Sequence, residues 1–187
     1  MVAGLLFLAF AFFAVGQASA TRNGAQGAAD AAALAAAQRA RVVLGQQLMP
    51  PPGGLGDVFK NEAVFRDAAY AEGVSFAAKN RSDVTSWRTE AGDRRYAFTF
   101  WVKTRYTVGS SVIPGTEQDH GTAHATAVIE LRCDLPPDGG SGGGPTTAPT
   151  GSPTPSPSPV TITCDGKDLP MNPMPDLEKI FTVKLVD

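Results

Sequence analysis

The first forty-eight residues of this chain contain no helix breaker, and then three prolines arrive together. Residues 1–20 are apolar and uncharged, and they run without a turn signal into an alanine-rich stretch in which eight of the ten residues 28–37 are alanine. Alanine is the strongest helix former. Pro50-Pro51-Pro52-Gly53-Gly54 then stops the pattern, since proline lacks a backbone N–H and clashes with the preceding turn. A single helix to about Leu48 is predicted, a rod on the order of 65 Å long. Its first part is apolar enough for a bilayer and its second suits water or a protein core. Any fold for this chain has to be built around that rod.

The apolar start admits two readings. Leu5 to Val15 makes an acceptable signal-peptide core, and Ala18-Ser19-Ala20 is a cleavage site of the A-x-A kind, which would release a soluble product at Thr21. Against cleavage, Met1-Val2-Ala3-Gly4 carries no positive side chain, and about twenty uncharged residues are enough to span a membrane. Arg22, the first positive side chain, follows the run, which by itself favours the reverse orientation under the positive-inside rule. The chain reads as starting within its apolar segment, so a short polar lead is expected upstream of Met1. We expect retention as a single-pass anchor, with the C-terminal part extracytoplasmic. Gly16, Ala20, Gly24, Ala28, Ala32, Ala36 and Ala40 recur at steps of four. A stripe of small residues lets helix backbones approach closely. It reads as a helix-packing face whose partner is another protein or another copy, although within residues 28–37 almost any register meets alanine.

Beyond the prolines, a second helix is expected over residues 56–79, with apolar residues at steps of three and four and Asn80 as a left-handed C-terminal cap; Gly73 weakens it near its end. From residue 82 the period becomes two. Tyr96, Phe98, Phe100, Val102, Thr104, Tyr106 and Val108 share one face of a strand. Ala123, Ala125, Ala127, Ile129, Leu131 and Cys133 share one face of another. Residues 160–165 and 180–186 alternate in the same way, and residues 84–89 read as an edge strand with Trp87. The expected fold is α+β and pilin-like: a long N-terminal helix, a second helix, then a four- to five-stranded antiparallel sheet with one solvated face. The alanines of the 123–131 strand suggest that the second helix lies close against it. The domain plan is an anchor over 1–20, its helical extension over 21–49, a linker over 50–56, and an α+β domain over 57–187 with a disordered insertion at 139–159.

Cys133 and Cys164 fall on the apolar faces of strands that can pair as neighbours, which places a disulfide between them outside the cytoplasm; two buried thiols are the alternative. Residues 139–159 hold no charge and only Ala148 as an apolar side chain apart from glycine and proline, too little to pack. This segment is a spacer, with Thr146, Thr147, Thr150 and Thr154 available for O-linked sugars. His120 and His124 lie near Glu117 and Asp119, but four well-placed ligands are lacking, and solvated histidines are the simpler reading. Trp87 and Trp101 are candidates for a partner surface or for simple packing. A net charge of −2 with no basic cluster gives no case for nucleic acid. The catalytic and nucleotide-binding motifs are missing, so we expect no enzymatic activity and no cofactor.

The segment Asn23-Gly-Ala-Gln-Gly-Ala-Ala-Asp-Ala-Ala-Ala-Leu-Ala-Ala-Ala37 closely resembles the N-terminal signature of TadG-like Flp (tight-adherence) pilus-assembly proteins of an actinobacterial kind. The resemblance covers about residues 2–41. It implies a membrane-anchored structural component that works beside secretion-ATPase-driven pilus machinery, with pilus-assembly or pilin proteins as partners of its N-terminal helix. The chain departs from full-length members in being short and in lacking an adhesion domain and a Gly–Glu prepilin-processing motif. Those departures favour assembly or anchoring over polymerisation as a subunit.

Overall fold

A computed structural model describes residues 2–48, 59, 62–109, 115–134, 161–170 and 173–186. The long rod is present as α1 (Val2–Gln47), about 70 Å of unbroken helix. It is followed by α2 (Ala63–Lys79), β1 (Ser82–Ala91), β2 (Arg95–Thr107), β3 (His120–Leu131), β4 (Cys133–Asp134), β5 (Thr161–Cys164), β6 (Lys167–Pro170), the single turn α3 (Leu177–Ile180) and β7 (Phe181–Val186). The fold is α+β, as expected. The linker at 50–56, most of the start expected for the second helix, and the insertion at 139–159 lie outside the described residues.

The main sheet is antiparallel with strand order β1-β2-β3-β7. Alternation in β2 sends Tyr96, Phe98, Phe100, Val102 and Thr104 into the core, all buried. The helices cover that face, and the other face looks outward. There the Thr99 and Thr126 hydroxyls pair at 2.9 Å, and Trp101 stacks on His124 with Arg88 above it. The two tryptophans are therefore engaged within the domain: Trp87 lies against Tyr70 and Phe100 on the core side.

Three sequence expectations need correction. First, α1, not the second helix, lies on the alanines of β3; α1 also meets β2, β7 and α2, while α2 covers β1. The physical reason is size. Ala28, Ala29, Ala32, Ala33, Ala36, Ala37 and Ala40 are each fully buried, so the α1 backbone comes close to a sheet whose large side chains fill the remaining space. Second, the strand at 160–165 does not join the main sheet. It forms a second, three-stranded sheet of order β4-β5-β6. The chain leaves the first sheet at Arg132, whose N–H donates to the Ile180 carbonyl, so Cys133 opens a new strand. Third, Asn80 does not take the left-handed conformation. Its side chain donates to the Phe76 carbonyl at 2.8 Å, and the next residue, Arg81, has φ of 56°.

Gly73 does not end α2. It sits mid-helix, buried, where a Cβ would run into the Phe100 ring. The helix-propensity cost of glycine, ~1 kcal/mol, is offset by this close approach of α2 to the sheet. Between the helix ends and the sheet, Phe59, Phe65, Tyr96 and Phe98 form an aromatic cluster. The Tyr96 hydroxyl donates to the Glu62 carboxylate, and burial together with that bond pushes the phenol above its ordinary value.

Candidate functional site

The feature with the clearest functional content is α1, because its two halves live in different surroundings. Val2, Leu5, Leu6, Phe7, Leu8, Phe10, Phe12, Phe13 and Val15 are large, apolar and exposed. From Thr21 onward the same helix enters the core, with Ala25 and Leu44 buried beside the alanines. By length and composition the helix can cross a membrane. An exposed apolar surface of this extent in water would be a severe liability.

The residues predicted to form the helix-packing face divide between these halves, with Ala32, Ala36 and Ala40 buried. Gly16 and Ala20 are exposed, and a Cβ on Gly16 would meet nothing within 4 Å. Gly24 is half-buried, with the Tyr106 hydroxyl occupying the space a Cβ would need. Ala28 is completely buried in the domain core. The expectation that this stripe packs on another protein therefore fails from Gly24 onward: its partner there is this chain's own sheet. Only Gly16 and Ala20 remain open. The sequence could not separate them, because small residues serve a close approach to a sheet as well as to a second helix.

This division makes a direct prediction. Ala28→Leu overfills a sealed site and is expected to lower domain stability by about 1–3 kcal/mol. Gly16→Leu should leave it unchanged. Thermal unfolding of the two variants in detergent checks the pair, and equal effects would contradict the assigned packing.

A second close approach had no sequence prediction. Gly121, at the start of β3, faces α1, and a Cβ there would press on the Thr21 carbonyl oxygen and the Ala25 side chain. At the far end of the core Gly45 makes room for Leu177. These glycines could have been noticed only as unexplained glycines inside regular elements.

Cys133 and Cys164 form a disulfide and are directly opposite one another in the β4–β5 pair. The turn after β5 is Asp165-Gly166, with φ of 50° and 73°, the left-handed pair that a two-residue hairpin requires. That dipeptide was a legible signal for β6, which the sequence reading missed. Arg94 ties the small sheet to the large one, bonding the Asp134 carboxylate at 3.0 Å and the Cys133 carbonyl at 2.6 Å. Arg132 pairs with Asp165 across the same junction.

The histidines are not brought together as a site. His120 begins β3, and its Nδ1 is 2.6 Å from the Thr104 carbonyl. His124 is exposed on the outer face against Trp101. No group of three or more metal-ligating side chains occurs among the described residues. Thr146, Thr147, Thr150 and Thr154 lie outside them.

Comparison with known proteins falls on the same helix. Residues 1–39 match the family model of Flp pilus-assembly TadE/G-like proteins. The match covers the exposed apolar half of α1 and most of its alanine-rich, buried half. No curated protein matches the chain, and no solved structure does. The TadE/G-like match and the N-terminal apolar helix fit a pilus-assembly component.

Proposed function

We propose that this chain is a single-pass, membrane-anchored structural component of a Flp-type pilus-assembly apparatus, TadG-like and of the actinobacterial kind, with its α+β domain outside the cytoplasm and no catalytic activity. The observation that carries the reading is the continuity of α1. One uninterrupted helix is bare and apolar over the region that can span a bilayer, and it becomes the centre of the domain core immediately afterward. The disulfide supports an oxidising, extracytoplasmic setting for that domain. In this reading the anchor holds the domain against the membrane, and its partners are other pilus-assembly or pilin proteins. They meet the helix at the part the domain leaves open, around Gly16 and Ala20, where small side chains allow close backbone contact.

The test is carbonate extraction of native membranes, followed by intact mass measurement. The expected result is protein that stays with the membrane and retains residues 2–20. A soluble product beginning at Thr21 would instead identify a secreted or cell-envelope binding module. Gly16→Leu and Ala20→Leu should then reduce crosslinking to pilus-assembly proteins while the domain stays folded.

A further inference from the structure

The geometry points to a binding site for the phosphate of an anionic phospholipid headgroup, in a notch where α1 leaves the membrane; the inference rests on the anchored reading above. The notch is lined by Ala18, Thr21, Arg22, Val108 and the β3 residues His120, Gly121 and Thr122, and has a volume of about 260 Å³. Its place along α1 is set by the close approach of Gly121 to Thr21, which brings the end of β2 and the start of β3 against the first turn after the apolar run. About twenty residues of helix span the hydrocarbon, so this turn stands at headgroup depth.

The lining chemistry suits an anion. Arg22 is exposed and has no ion-pair partner among the described residues, and guanidinium binds phosphate through paired N–H donors. The His120 Nδ1 lies against a backbone carbonyl, which can only accept, so Nδ1 carries the proton. The ring lines the notch without adding a negative charge to it. Thr122 is exposed and offers a hydroxyl. No carboxylate among the described residues lines the notch; Glu117, in the turn before β3, has its carboxylate engaged by the Gly115 N–H at 2.9 Å. The apolar surface of residues 2–15 runs directly below, where the acyl chains of the same lipid would lie. A soluble phosphate compound would gain nothing from that surface, and this favours a lipid as the source.

The full chain in nonionic detergent, mixed with phosphatidylglycerol or phosphatidylcholine, can be examined by native mass spectrometry. One phosphatidylglycerol should be retained per chain at concentrations where phosphatidylcholine is not, since the choline cation opposes Arg22. Arg22→Gln should reduce retention about five-fold or more, and Thr122→Val, which removes a hydroxyl from the lining, about two-fold. Arg95→Gln, at the other end of the sheet, should have no effect. Equal retention of both lipids, or retention indifferent to Arg22→Gln, would overturn the site. Displacement by millimolar inorganic phosphate at constant ionic strength would assign the notch to a free anion and overturn the lipid source. Flotation with phosphatidylcholine liposomes tests the anchor separately: a chain that floats but shows no preference refutes the site alone, and one that does not float removes both.

Discussion

Phe65→Ala is expected to destabilise the domain by about 3–5 kcal/mol, the usual cost of emptying a buried aromatic site. Phe65 has no exposed surface and meets Tyr96 edge-on at 4.9 Å and Phe98 at 6.3 Å. It is the largest buried side chain of α2 and packs on β2. The loss should appear as a melting temperature lower by on the order of 10–15 °C. Phe65→Leu should be milder, because it leaves a smaller void. A loss below 1 kcal/mol would mean that α2 can detach without disturbing the sheet.

The same cluster shows what the sequence could and could not reveal. The period of two from Tyr96 to Val102 was unambiguous because every second residue is large and largely apolar, and each of those residues is buried. The unbroken helix to Gln47 was equally plain, since nothing in residues 2–47 ends a helix before the prolines. The partners of each face were hidden. Alanine is compatible with lipid, a second helix or a sheet, so composition could not place α1 on β3 or seal Ala28 inside. Nor could alternation show that Arg132 turns the chain out of one sheet and into another, because that switch depends on a hydrogen bond to Ile180, forty-eight residues along the chain. The notch at Arg22 was illegible for the same reason: it exists only once Gly121 and Thr21 meet.

Replacing both Cys133 and Cys164 by serine should cost ~3–4 kcal/mol on the chain-entropy account of a closed loop of this length. The sequence separation is 31 residues, and both half-cystines are nearly inaccessible. Native protein should react with no thiol reagent until it is unfolded in the presence of reductant. The destabilisation should be local in character. The small sheet β4-β5-β6 should lose its hydrogen-exchange protection first, while β2 and β3, paired without a break from Arg95↔Glu130 to Lys103↔Thr122, stay protected. Either single replacement should cost about as much as the double. Two alkylatable cysteines in native protein, or uniform loss of protection across both sheets, would contradict this account.

The continuity of α1 also has a mechanical consequence. No hinge separates residues 2–20 from the core, so a tilt of the apolar segment tilts the whole domain with it. A pull along that segment would load the helix–sheet contact in shear over its full length and would not peel it open from one end. Alanines slide past a sheet easily, because they present no protrusions to catch. Resistance to sliding would fall on the places where a side chain enters a gap left by glycine: the Tyr106 hydroxyl at Gly24 and Leu177 at Gly45. These two catches lie near opposite ends of the buried length of the helix. A load arriving from the membrane would reach Gly24 first and be shared with Gly45 only after the first had begun to yield.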